Sequence, residues 1–173
     1  LLITFLVFIA YSLINTYITP YSKIALSINE NQVSSILLTL GIASLIGAKT
    51  GGKLADRFGA RRTLLSSMFI QILALLILSL VAGVKVPTLI FLIIYEMSAW
   101  TFGPTQNYNL VTLAPEASGI MLSLNSSFVQ MGFATGAGIG GLAISNFSVL
   151  SITIVGAFTV STDLVIRLKL KDS

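Results

Sequence analysis

Neither cysteine nor histidine occurs among the 173 residues. Without cysteine there is no disulfide framework, no thiolate nucleophile, no thiolate metal site and no haem attachment. Without histidine, imidazole metal sites and histidine-based catalytic dyads or triads fall away as well, so neither a metal nor a cofactor is expected. Charge is almost as scarce: 9% of residues are charged against 55% hydrophobic, and the mean hydropathy is +0.95. A water-soluble domain averages roughly 25% charged residues, and a chain this poor in them cannot cover its surface with polar groups. The composition is that of an integral membrane protein whose immediate partner is the lipid bilayer. The net charge of +4 does not point to nucleic acid, because the basic residues sit beside apolar stretches, where membrane topology accounts for them.

Six apolar spans are read near 1–18, 33–51, 62–83, 88–110, 119–144 and 148–167, each close to the ~20 residues that cross a hydrocarbon core of about 30 Å. Turn-forming residues separate them: Asn29-Glu30-Asn31, a basic loop at 51–62, Gly83 to Pro87, Ala114-Pro115-Glu116 and Ser145-Asn146. Span length and punctuation carry this reading, since lipid-facing and protein-facing surfaces are both apolar and periodicity is little help. The first span opens on Leu1-Leu2-Ile3, with no basic region before it and no small-residue cleavage site after it. A secretory signal is therefore not expected; a start partway into a longer protein is.

Connections between spans alternate sides of the membrane. One side holds Lys49, Lys53, Arg57, Arg61, Arg62, Arg167, Lys169 and Lys171, eight in all, and the other holds only Lys23 and Lys85. Lysine and arginine accumulate on the cytoplasmic side, so the basic loop and both ends of the chain are expected there, in the plasma (inner) membrane. Lys49 reads as a snorkelling end residue, and Lys169 and Lys171 as contacts with an anionic inner leaflet. Six helices with both ends on one side divide into two three-helix units of opposite topology, a plan used by transporter halves.

The basic loop carries a family pattern. Gly52-Lys53-Leu54-Ala55-Asp56-Arg57-Phe58-Gly59, followed by Arg61 and Arg62, resembles the cytoplasmic loop between the second and third helices of a six-helix half in the major facilitator superfamily. Ala60 stands where a basic residue is common. Trp100 to Gln106, Leu113 to Gly119 and Leu124 to Ser127 look like the C-terminal half of bacterial drug and sugar efflux proton antiporters. The N-terminal half of such carriers usually has an Arg in its fourth helix, where this chain has none and carries Glu96 instead. The resemblance implies an all-α membrane protein, residues 1–173 forming one six-helix bundle equivalent to helices seven to twelve of a twelve-helix transporter. Its implied partners are a small-molecule substrate, protons, and a missing N-terminal half or a second copy. The family's use of the loop makes Gly52, Asp56, Arg57, Gly59, Arg61 and Arg62 a candidate conformational latch centred on Asp56. Topological anchoring by the basic residues alone would not need Asp56 or Gly59.

Beside the resemblance, the residues have their own chemistry. Asp56 reads as lying just past one helix and near the start of the next, where a carboxylate gains from the helix dipole and from the surrounding arginines. Glu96 falls about mid-span, where an acid is costly unless it faces a cavity or a partner; removal from water favours its protonated form, which suits a group that binds and releases a proton. A neutral glutamate joining helices, or one binding a cationic substrate, is the alternative. Tyr11, Asn15, Tyr95, Trp100, Gln106, Asn107, Asn125 and Gln130 are candidate cavity residues, with helix bridging the plainer use of the amides. Gly132, Gly136 and Gly140 recur every four residues and form a smooth face for close packing or for sliding in alternating access. Asp163 and Arg167, four apart, read as a local ion pair on the last helix.

A secondary transporter exporting a small amphipathic solute in exchange for protons follows, with a sugar or organic-acid permease of the same fold as the alternative. A six-span enzyme is disfavoured: a Ser-His protease has no histidine, and Asp56, Glu116 and Asp163 share no motif that would assemble a metal. A non-transporting six-helix partner subunit is the remaining possibility.

Overall fold

In the computed structural model, residues 1–169 are described, and every regular element among them is helical. The helices are α1 (Leu2–Asn15), α2 (Ile18–Ala25), α3 (Glu30–Phe58), α4 (Ala60–Val81), α5 (Lys85–Leu113), α6 (Ser118–Asn146) and α7 (Ser151–Lys169), with a single 3₁₀ turn at Pro115–Ala117 before α6. Five are long and apolar enough to cross a membrane, and α1 with α2 makes a sixth, broken span. Lys171 lies outside the described residues.

The first span runs past residue 18 and bends by 53° between α1 and α2. Pro20 has no N–H to give the Thr16 carbonyl, and its ring would strike that carbonyl in a straight helix. The chain closes instead with a tighter bond from Tyr17 N–H to the Ile14 carbonyl, 3.2 Å, and restarts with Tyr21 N–H on Tyr17, 2.9 Å. The 51–62 segment, expected as a loop, is helical except at Gly59. That residue ends α3 and starts α4 with φ of +84°, a left-handed conformation that costs glycine little. At the other end of the bundle Gly83, φ +98°, donates its N–H to the Ala25 carbonyl at 2.8 Å, tying the α4–α5 turn to the end of α2. Helix α3 begins after Asn29, whose backbone N–H is taken by the Gln32 side chain at 3.2 Å, half of a capping box.

The packing is symmetric in an inverted sense. Helix α1 packs on α6 and α7, α5 packs on α3 and α4, and α4 packs on α7. Exchanging the first three spans with the last three maps this pattern onto itself. Inside a bilayer, helices associate through close packing and hydrogen bonds, because lipid is as apolar as leucine. Two of these cross-unit contacts, α3 with α5 and α1 with α6, are built that way. A β-carbon added to Gly51 of α3 would lie 2.6 Å from the Thr101 carbonyl oxygen of α5, and one on Gly132 of α6 would lie 2.8 Å from the Phe5 carbonyl oxygen of α1. Hydroxyls then stitch the same seams: Thr101 Oγ1 and Thr105 Oγ1 donate to the Gly47 and Gly51 carbonyls at 3.1 and 3.2 Å, and Ser12 Oγ donates to the Phe133 carbonyl at 2.7 Å.

Leu64, Met68, Leu75, Leu78, Leu92, Phe102, Ile152 and Val160 of α4, α5 and α7 form one buried core with Val7, Ile14 and Tyr21 of α1 and α2. Leu38, Leu45, Phe69, Leu80, Leu142 and Phe158 are exposed, the apolar exterior that a bilayer requires.

Candidate functional site

Helices α1 and α5 run in opposite directions and present matched faces. Thr4, Phe8, Tyr11 and Asn15 recur at i, i+4, i+7 and i+11 on α1; Glu96, Trp100, Gly103 and Asn107 recur at the same intervals on α5. That spacing keeps four side chains on one helix face. The faces meet in antiparallel order, Asn15 with Glu96, Tyr11 with Trp100, Phe8 with Gly103.

Between them lie three adjoining cavities. The first, about 300 Å³, is lined by Tyr11, Asn15, Ile18, Ser44, Glu96 and Trp100 among others. The second, about 350 Å³, shares Tyr11 and Trp100 with it and adds Phe8, Ala48, Gly103, Pro104 and Asn107. The third, about 230 Å³, continues through Phe8, Gly103 and Asn107 to Asn125, Ser126 and Gln130 of α6. Together they form one cleft graded from an acid, through an aromatic slot, to a set of amides.

Glu96 is 4% exposed. Asn15 Nδ2 donates to its Oε1 at 3.3 Å and to the Tyr11 hydroxyl at 2.8 Å, while Oε2 is buried without a partner. Trp100 Nε1 donates to the same Tyr11 hydroxyl at 2.9 Å, and the two rings stand edge to face at 6.0 Å. Tyr11 is thus a double acceptor holding Asn15 and Trp100 around the acid. Among the described residues lining the three cavities, Glu96 is the only one with a charged side chain.

Two candidates fall elsewhere. Tyr95 is buried behind the cleft with its hydroxyl unpartnered, because it sits one residue, about 100° of helix, from Glu96. Gln106 is buried and donates to Thr4 Oγ1 at 3.3 Å; Thr4 donates to Asn125 Oδ1 at 2.7 Å, and Asn125 Nδ2 donates to Asn107 Oδ1 at 2.9 Å. This relay joins α5, α1 and α6 at the amide end of the cleft, so Asn125 both bridges helices and borders the cavity. Thr4 was not singled out by sequence, although its register with Phe8, Tyr11 and Asn15 marks it.

Around the α3–α4 turn, the expected geometry is corrected. Asp56 lies inside the last turn of α3, not beyond it, and is exposed. Among the described residues it has no ion pair, the one within 4.0 Å being Lys23 Nζ with Glu30 Oε1 at 2.7 Å. A carboxylate there faces the negative end of the helix dipole, and Arg61 and Arg62 in the first turn of α4 face a positive one; neither charge gains from its helix. Arg57 sits over the Phe58 ring at 5.2 Å. A β-carbon on Gly52 would meet nothing within 4 Å, and the close approach to α5 belongs to Gly51. Gly132, Gly136 and Gly140 all face α1: a β-carbon on Gly136 would collide with the Ile9 carbonyl, and one on Gly140 would lie 2.5 Å from the Tyr17 ring. The same spacing at Gly47 and Gly51 was overlooked in the sequence.

The Asp163–Arg167 pair does not close. Asp163 is fully buried with both carboxyl oxygens unpartnered, and Arg167 has a buried, unpartnered guanidinium nitrogen. The i, i+4 spacing puts the two on one helix face, but no nitrogen–oxygen approach within 4.0 Å joins them.

Comparison with known proteins agrees with this architecture. The model of the Major Facilitator Superfamily matches residues 1–170. An uncharacterized MFS-type transporter, YbcL of Bacillus subtilis (strain 168), is 42% identical over 171 residues, covering 99% of this chain and 44% of its own length. The chain therefore spans less than half of that relative. With a family match along almost its whole length and a cleft between inverted helical units, the chain belongs to the major facilitator superfamily of membrane transporters.

Proposed function

We propose that this chain is the C-terminal six-helix half of a twelve-helix secondary transporter, and that it exports a small amphipathic solute in exchange for protons across the plasma membrane. Both ends of the segment, and the α3–α4 turn, face the cytoplasm in this reading, which rests on the eight-to-two distribution of basic residues. The absence of Arg from α5 and the presence of Glu96 there support the C-terminal assignment. Half a carrier offers half a cavity, so the facing wall would come from the other half or from a second copy.

One observation carries the coupling role: a lone acid sits in the wall of an aromatic cleft with one carboxyl oxygen tethered by Asn15 and the other free. A carboxyl held this way can lose its proton to the cleft and regain it when the cleft faces the other side. Phe8, Tyr11 and Trp100 would take the apolar body of the solute. The latch at the α3–α4 turn fits the same cycle: Asp56, exposed and unpaired in this conformation, would take a partner in the other one, leaving Asp56→Asn inserted but slow.

The test is the full-length transporter in proteoliposomes with an imposed pH gradient, wild type against Glu96→Gln. Uphill movement of a lipophilic dye should fall at least tenfold in the variant, about the effect of 1.4 kcal/mol, while downhill dye exchange without a gradient persists. Undiminished uphill transport by Glu96→Gln would remove Glu96 from coupling.

A further inference from the structure

The basic end of the bundle carries a second built feature that the transport cleft does not use. Beside α4, a groove of about 420 Å³ is lined by Leu54 and Phe58 of α3, Arg62, Thr63, Ser66, Ser67 and Ile70 of α4, and Ser98 and Thr101 of α5. It shares Phe58 and Arg62 with a shallower cleft of about 430 Å³ that runs over Gly59 and Arg61 to Leu65 and Leu168. We propose that the two together form a binding site for one anionic phospholipid, its phosphate held at the α3–α4 turn by Arg61 and Arg62 and one acyl chain lying in the groove over α5.

Three observations fit this occupant. The groove looks polar in sequence but is not polar to a ligand: Thr63, Ser66, Ser67, Ser98 and Thr101 all spend their hydroxyl protons on helix carbonyls at 2.8–3.1 Å. Arg62 at the mouth apart, no side-chain donor remains for a polar solute among the described lining residues, and the wall suits a methylene chain. Its depth suits one too. From Arg62 to Ile70 α4 rises about 12 Å, most of the ~15 Å of hydrocarbon in one leaflet. It opens beside Phe69, Ile70 and Leu73, an exposed apolar strip that faces lipid. The mouth is charged to match a phosphate: segment 51–62 holds four basic residues, Lys53, Arg57, Arg61 and Arg62, and one acid, Asp56, for a net +3. Arg61 and Arg62 are exposed and free of ion pairs among the described residues. The site stands on the groove and its charge; only the choice of leaflet depends on the orientation proposed above.

The site would make the α3–α4 turn responsive to membrane composition, because a phosphate on Arg61 and Arg62 competes with any rearrangement of that turn. Native mass spectrometry of the full-length protein released from detergent tests it, with dioleoyl phosphatidylglycerol and dioleoyl phosphatidylcholine added separately. The phosphatidylglycerol adduct should survive activation that strips phosphatidylcholine. Each basic side chain near an anionic lipid contributes about fivefold, so Arg61→Gln with Arg62→Gln should weaken retention about thirtyfold. Ser66→Trp, which fills the groove and leaves every charge in place, should also weaken retention, and soluble glycerol phosphate should not displace the lipid. Equal retention of both lipids overturns the proposal, as does indifference to either variant, or displacement by glycerol phosphate. Circular dichroism of each variant identifies one that has lost its fold. Arg61→Lys with Arg62→Lys, which keeps the charge, should restore retention.

Discussion

At the scale of single residues, Tyr11 organises the cleft more than Glu96 does. Its hydroxyl accepts from Asn15 and from Trp100, and Asn15 in turn holds the acid. Removing the hydroxyl leaves the half-buried Asn15 amide and the exposed Trp100 indole N–H in search of acceptors, and such a group costs about 1–3 kcal/mol where it is buried and unsatisfied. Partial access to the cleft lets water replace some of this. Tyr11→Phe and Trp100→Phe should each lower the thermal unfolding midpoint of the full-length protein in detergent and raise its KM for transported dye. Because both remove the Trp100–Tyr11 bond, the double variant should cost clearly less than the sum of the two single ones. A double-mutant cycle measures this directly: groups in one network couple by 0.5–3 kcal/mol, whereas independent sites add to within about 0.5 kcal/mol. Additive effects would mean that the bond contributes nothing to the cleft.

At the scale of helices, the seams between inverted units rest on glycines whose roles differ sharply over one position. A methyl group on Gly51 meets backbone of α5 at 2.6–3.1 Å, and backbone cannot rotate away. On Gly52 it meets nothing. Overpacking costs typically 1–3 kcal/mol, while alanine in an open helical position gains up to ~1 kcal/mol over glycine. Gly51→Ala should therefore lower the unfolding midpoint by several degrees and Gly52→Ala should leave it unchanged or raise it, with Gly136→Ala behaving like Gly51→Ala. If Gly52→Ala retains stability yet loses transport, Gly52 acts in a second conformation of the turn, which is the behaviour a latch requires. The six spans were legible from length and turn residues, because hydrocarbon thickness sets a minimum that composition reveals. Their ends were not: α3, α5 and α6 have 29 residues each, about 43 Å at 1.5 Å per residue, more than the ~30 Å of a hydrocarbon core requires. The segment 51–62 therefore reads as loop by composition yet is helix by backbone. The break in the first span was missed: Pro20 is its signal in the sequence, but the span was read by apolar length as unbroken to residue 18, and an apolar run conceals a bend. The cleft was legible as a list of polar residues, and its sorting into lining and packing groups needed helix phase: Glu96 and Tyr95 are neighbours in sequence and face different sides.

At the scale of the whole molecule, the inverted packing relates the two ends of the bundle, and charge distinguishes them. One end carries the α3–α4 turn with Arg57, Arg61 and Arg62; the other carries the Lys23–Glu30 pair at 2.7 Å and the Gly83 tie to α2. An exposed ion pair contributes little to stability, so Lys23 and Glu30 matter here mainly as neutralised charge: with Lys23 paired, Lys85 is the one lysine left at the less basic end among the described residues. The proposed side of the membrane rests on that asymmetry, and the absence of cysteine makes it measurable, because any thiol introduced into this chain is its only one. Asn31→Cys lies at the start of α3 beside the Lys23–Glu30 pair, and Glu116→Cys lies on the turn between α5 and α6, at the basic end. Both positions are exposed, so differences in labelling report the membrane barrier rather than burial. In intact cells expressing the full-length protein with any cysteines of its remaining part removed, a membrane-impermeant maleimide should label Asn31→Cys at once and Glu116→Cys only after permeabilisation. The reverse pattern would place the basic end outside, and it would require the phospholipid at Arg61 and Arg62 to come from the outer leaflet. Labelling of both in intact cells would mean that the chain does not hold one orientation, and the charge asymmetry would then not determine its topology.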